Sequence, residues 1–132
     1  MSFEVGQVYT REEIGDVLNG DHVSYLPTYR NSVVCGCFTT RDNPNAPEEI
    51  LFGNDLPSQN IIRAAKLVFS QGQRGEEIPV FMKRGKAKWE FVGHYLCVGM
   101  TRDPRVINRK RKDNPSRPGR IRGVLRFEPI DI

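Results

Sequence analysis

The chain has 132 residues, of which 38% are hydrophobic and 27% charged, and its formal net charge is +4 at neutral pH. That balance fits one globular domain over 1–132 and excludes a disordered polymer, and no apolar run approaches the roughly 20 residues needed to cross a bilayer. The N-terminus lacks the basic and apolar regions of a secretory signal, and three cysteines (Cys35, Cys37, Cys97) do not make a disulfide scaffold, so a cytoplasmic setting is expected.

Residues Phe3 to Tyr9 alternate weakly and read as an extended entry. Thr10 then stands as an N-cap, with Glu13 three residues on to complete a capping box. Ile14, Val17 and Leu18 follow at helical spacing, and Asn19-Gly20 offers a left-handed stop, so a helix is predicted from Arg11 to Leu18. Ser32 to Thr39 is β-branched and aromatic and predicts a strand. Arg41 to Glu48 holds Pro and Asn and reads as a loop. Ile50 to Gly53 is a short strand, and Asn54 to Pro57 a turn. Ser58 is the expected cap of a second helix, which carries Ile61, Ile62, Ala65, Val68 and Phe69 on one side and ends near Gly72.

Ile78 to Lys83 predicts a strand that tolerates Pro79 at its start, and Arg84 to Lys88 a basic turn. Lys88 to Gly99 is the longest strand and is apolar on both faces, which places it centrally in a sheet. Asp103 to Gly119 is polar and rich in Arg, Pro and Asn; we expect a basic flexible loop over 102–121. Arg122 to Ile130 closes the chain as a strand. About six strands, often adjacent in sequence, with two helices predict an α+β fold: a small curved antiparallel sheet or barrel with helices at its side.

Charge is distributed unevenly. Between Arg102 and Arg126 there are ten Lys/Arg against two acids, whereas the remainder carries ten bases and fourteen acids. A segment at +8 on a body at −4 has a simple physical reason in a polyanion, whose condensed counterions are released when Arg and Lys neutralise phosphates. Solvated arms also look like this, and an arm that orders on binding reconciles the two. Lys83, Arg84, Lys86 and Lys88 form a second basic cluster.

Enzymatic signatures are weak. His94 and Cys97 point to opposite faces of one strand, which argues against a nucleophile–base pair. The Cys35-x-Cys37 spacing is not that of a zinc knuckle, and no phosphate-binding glycine loop occurs, so no metal and no cofactor are expected. The aromatic residues divide. Phe3, Phe69, Phe81, Phe91 and Phe127 suit the core. Tyr25 and Tyr29 flank a loop without periodicity, where flat rings and hydroxyls can stack on a base or pack on the sheet rim. Gly53-Asn54-Asp55, directly after a strand, can admit a ligand and read a base edge, or be an ordinary turn before the second helix.

The motif order is informative. Phe3-Glu4-Val5-Gly6-Gln7-Val8-Tyr9-Thr10-Arg11-Glu12-Glu13-Ile14 resembles the F-x-x-G-x-x-Y-x-R-x-x-I opening of SRA-like domains in prokaryotic modification-dependent HNH restriction endonucleases. Ile50-Leu51-Phe52-Gly53-Asn54, then Ala64 to Gln71, Ile78 to Lys83 and Trp89 to Tyr95, resemble their later strand, helix and hairpin. The Gly-Gly-rich stretch after the first helix is replaced by Gly20 to Tyr29, and the Y-T-G-E-G-Q segment has no equivalent. The wider PUA-like superfamily shares the barrel.

The resemblance implies a reader of modified DNA that flips a base into an aromatic pocket, in a restriction–modification setting, without cutting. On that basis the expected pocket residues are Tyr25, Tyr29, Phe52, Gly53, Asn54, Asp55 and Trp89. The expected backbone contacts are Arg11, Arg30, Lys83, Arg84, Lys86, Lys88, Arg109, Lys110, Arg111, Lys112, Arg117 and Arg120. The implied partner is nucleic acid, foremost double-stranded DNA, with an effector supplied in trans. RNA binding, a base-processing or split-nuclease subunit, and a protein-docking module are the alternatives.

Overall fold

The computed structural model describes residues 2–55 and 59–130. Ser58, the expected helix cap, lies outside them. The elements run β1 (Val8–Tyr9), α1 (Arg11–Leu18), β2 (Thr28–Tyr29), β3 (Ser32–Val33), β4 (Gly36–Phe38), β5 (Glu49–Phe52), α2 (Gln59–Gln73), β6 (Ile78–Gly85), β7 (Lys88–Thr101), α3 (Pro104–Asp113) and β8 (Gly123–Pro129). The fold is α+β, as the pattern of elements predicts.

The main sheet has strand order β4-β6-β7-β8-β5, with β1 also paired to β7. β7 is central, as its two apolar faces require. Its first residues pair with β1, at Tyr9↔Trp89, and its last with β8, at Thr101↔Val124, so the sheet curls along it. Pairing is antiparallel except between β4 and β6, which are parallel. The curved sheet is thus antiparallel, as expected, at every pairing but that one.

The first helix has the predicted bounds. Thr10 Oγ1 accepts from Glu13 N and Glu13 Oε1 accepts from Thr10 N, while Asn19 closes the helix at φ 63°. The expected strand over Ser32–Thr39 is two strands instead. Val34 N–H goes to the Pro27 carbonyl and Cys37 N–H to the Tyr25 carbonyl, so the chain changes partners between β3 and β4. β3 joins the small β2–β3 hairpin, which is held to α2 by Gln71. The Gln71 side chain is buried, accepts from Val33 N at 2.7 Å and donates to Val33 O at 3.0 Å. Gly72 lets α2 lie directly on β7, since a Cβ there would come within 1.9 Å of the Cys97 carbonyl oxygen.

A third helix, α3, occupies residues read as a basic loop. Asp103 caps it, accepting from Arg105 N at 2.9 Å, and Pro104 opens it. Lys110, Arg111 and Lys112 complement the dipole at its C-terminal end. Val106 and Ile107 are enough apolar surface to seat it against Leu51, Ile121 and Val124. The main core gathers Phe38, Ile50, Phe52, Val68, Val80, Leu125 and Phe127 between the sheet and α2, and a second cluster holds Ile14, Cys35, Cys37, Phe81, Trp89 and Phe91 beside α1.

Candidate nucleic-acid interface

A cavity of about 640 Å³ opens where the loop after α1, the end of β5 and the first turns of α2 meet. Its size falls within the roughly 300–1,000 Å³ of small-ligand pockets. Tyr25, Phe52, Gly53 and Leu67 supply apolar wall, and Asp42, Asn60, Arg63 and Arg117 are among the polar groups.

The wall formed by residues 21–28 is rigidly tied. Asp21 Oδ1 accepts from Val23 N at 2.9 Å and Ser24 N at 2.6 Å, an Asx turn. Burial raises the Asp21 carboxyl pKa, but the Ser24 and Val23 N–H groups and the Arg11 charge outweigh it and leave it below its ordinary value. Arg11 donates to Ser24 O at 3.0 Å. Tyr25 hangs from β4 through its carbonyl, and its hydroxyl donates to Ile61 O of α2 at 2.7 Å. Burial, followed by the nearby Cys97, holds the Tyr25 phenol neutral far above its usual range.

The opposite wall depends on two residues whose part the sequence does not announce. Asn43 is buried, and its Oδ1 accepts from Leu51 N at 2.7 Å, joining the 41–48 loop to β5. Arg117 reaches back from the segment after α3. It donates to Asp42 O at 2.9 Å, Leu51 O at 2.6 Å and Gly119 O at 3.0 Å, with longer contacts to Gly53 O and Pro118 O. Burial lowers its pKa, opposed by the Asp42 charge.

Of the expected pocket residues, Tyr25, Phe52 and Gly53 meet at this cavity. Tyr29 does not line it. It is 40% exposed on the β2–β3 hairpin, with the Arg30 guanidinium 5.1 Å from its ring centroid. Asn54 lies beneath the 117–122 segment, where a Cβ on Gly119 would be 3.1 Å from Asn54 Cα. The Asn54 Oδ1 is buried and has no hydrogen-bond partner among the described residues. Asp55 offers its main-chain carbonyl to Arg122 at 3.4 Å. Trp89 belongs to the second cluster, with Arg11 at 5.2 Å and Lys83 at 5.8 Å from its ring.

The expected phosphate contacts also separate. Lys83, Arg84, Lys86 and Lys88 are exposed at the β6–β7 hairpin, where Arg84 pairs with Glu90 at 2.8 Å. The cavity lies at the other end of β7, because Phe52 pairs with Gly123 next to Val124 and Thr101. Arg11 is engaged internally. On α3, Arg109 and Lys112 are exposed, Lys110 pairs with Glu49 at 2.9 Å, and Arg111 donates to Ile121 O at 3.1 and 2.7 Å. Arg120 is exposed and Arg117 half-buried. The arginine-rich segment thus borders the cavity. Among the described residues no group of three or more His, Cys, Asp or Glu is placed to hold a metal, and no helix is long and apolar enough to cross a membrane.

No family model matches the chain, and no curated protein does. A solved structure described as "Sulfur binding domain and SRA domain of ScoMcrA complexed with phosphorothioated DNA" is similar over 100% of this chain, with a TM-score of 0.57 and 11% identity. The chain spans 41% of that structure's length. The likeness shows a shared fold, in accord with the order of SRA-like motifs along the sequence.

Proposed function

We propose that this chain is a DNA-binding reader that takes one modified nucleotide into the cavity walled by Tyr25, Phe52 and Gly53. The observation that carries the proposal is the position of this cavity, at the one end of the sheet where the +8 segment also lies. Extruding a base costs a few kcal/mol of stacking. Aromatic contact offers about 1–3 kcal/mol per base, and phosphate contacts supply the rest. Likeness in fold to a structure complexed with phosphorothioated DNA supports modified DNA as the partner.

In this reading the chain recognises and does not cut, and an effector acts in trans. Three free, buried thiols support a cytoplasmic setting. The test is a binding panel of unmodified, methylated, hydroxymethylated and phosphorothioate duplexes, with single-stranded RNA as control. One modified duplex should bind at least tenfold more tightly than the plain one, and Tyr25→Ala or Phe52→Ala should reduce that ratio more than the overall affinity. Equal or tighter binding to single-stranded RNA would replace this reading with RNA recognition.

A further inference from the structure

The fold brings together three arginines that have no acidic partner among the described residues. Arg120, exposed, and Arg122, half-buried, flank buried Ile121 in the segment before β8. Arg111 arrives from α3 and is fixed by two hydrogen bonds to Ile121 O, at 3.1 and 2.7 Å. Arg122 is anchored by its N–H to Phe52 O at 2.8 Å and by Nη2 to Asp55 O at 3.4 Å. Desolvation lowers the Arg111 pKa, and the Arg120 and Arg122 charges lower it further, in keeping with their places on either side of Ile121, whose carbonyl Arg111 grips.

Among the described residues no carboxylate forms an ion pair with any of them. Other cations of the chain do find acids: Lys110 with Glu49, Arg105 with Asp103, Arg84 with Glu90. Arg111 and Arg122 are held by backbone carbonyls rather than by acids and keep their outward donors for an anion, and planar guanidiniums suit phosphate oxygens.

The place is as informative as the charge. Gly53 lines the cavity, and a Cβ on it would lie 2.4 Å from Arg120 O and 2.8 Å from Arg122 N. The backbone of Arg120 and Arg122 therefore packs directly on Gly53 at the cavity edge, and Arg111 reaches the same segment from α3. We propose that Arg111, Arg120 and Arg122 form a phosphate seat that holds the strand phosphodiester next to the nucleotide in the cavity. The seat rests on the reading proposed above and adds a residue, Arg122, that belongs to the basic stretch but not to the expected backbone contacts. It separates these three from Arg109 and Lys112, which give diffuse attraction from the open face of α3.

Two measurements test it. Inorganic phosphate is titrated into the chain while the arginine Nε–H resonances are followed by NMR. The Nε–H signals of Arg111, Arg120 and Arg122 should shift together, before that of Arg109. A duplex of the preferred modification is then scanned with single neutral methylphosphonate linkages. One linkage beside the modified nucleotide should cost about tenfold in affinity, and that cost should vanish in the Arg120→Ala/Arg122→Ala variant, whose salt slope falls by about one to two.

Equal penalties at all linkages, unchanged in the variant, would overturn the seat, as would phosphate shifts spread evenly over Arg105, Arg109 and Arg120. Failure of the cavity reading looks different. There the three Nε–H signals still respond to phosphate, but Tyr25→Ala and Phe52→Ala leave discrimination between modified and plain duplex intact.

Discussion

Replacing Arg117 by alanine should damage the fold of the cavity rather than its grip on phosphate. Its guanidinium makes three short hydrogen bonds to the carbonyls of Asp42, Leu51 and Gly119, at 2.9, 2.6 and 3.0 Å. Hydrogen bonds from a charged donor contribute about 1.5–3 kcal/mol each, and the half-exposed side chain and the one guanidinium shared among the three bring the total below their simple sum. A loss of about 3 kcal/mol is expected in urea unfolding, with the slope against denaturant unchanged. DNA affinity should drop because Asp42 and Gly53 shift, while the dependence of log affinity on log salt keeps its slope. A destabilisation below about 1 kcal/mol together with a salt slope shallower by about one would refute this, and would return Arg117 to the phosphate contacts.

Gln71→Ala strands both the N–H and the carbonyl of buried Val33 and should cost about 3 kcal/mol in urea unfolding, at about 1–3 kcal/mol per unpaired group; a loss under about 1 kcal/mol would mean the hairpin does not need α2. Burial pushes the Cys97 thiol from 9.0 up to about 11, against the weaker pull of its hydrogen bond to Gly99 O. The native state keeps that proton where the unfolded chain has released it, so stability is full below about pH 9 and declines as pH rises towards 11. Chemical denaturation at pH 8, 9, 10 and 11 should show a shallower decline in Cys97→Ala than in the parent, and parallel curves would exclude Cys97 as a source of the dependence.

Local rules were enough where the partners are local. The α1 cap needs only Thr10 and Glu13, and the centrality of β7 follows from apolar residues on both its faces. The readings that changed involve distant partners. Ser32–Phe38 has the composition of one strand, yet Cys37 N–H is claimed by Tyr25 and β4 pairs in parallel with β6. For α3 the density of Lys and Arg hid a regular signal: Asp103 as cap, Pro104 next, and Val106-Ile107 as the seat. Arg117 could not be assigned in this way, because Asp42 and Leu51 lie 75 and 66 residues away and offer carbonyls, which every residue has. Trp89 fits a stacking platform by type, but α1 and β1 bury it, with Arg11 over its ring.

The two basic clusters make the orientation of DNA a matter of length. Fourteen residues of β7 separate the Lys83–Lys88 hairpin from the cavity end, about 40 Å measured along the strand. At about 3.4 Å per base pair, a duplex touching both would follow β7 for up to about twelve base pairs. One lying across the cavity end would need far fewer. The hairpin is the weaker claimant, since Arg84 is paired with Glu90 and Lys83 sits near the Trp89 ring, whereas Arg111, Arg120 and Arg122 have no acidic partner among the described residues. Charge concentrated at one end of an otherwise acidic body also steers a polyanion to that end. Affinity measured on duplexes of 8, 12, 16 and 20 base pairs centred on the modified site should therefore level off early, and Lys86→Ala/Lys88→Ala should leave it within about twofold at 50 mM salt. Affinity that keeps rising to 16 base pairs, and collapses in that variant, would lay the duplex along β7 instead.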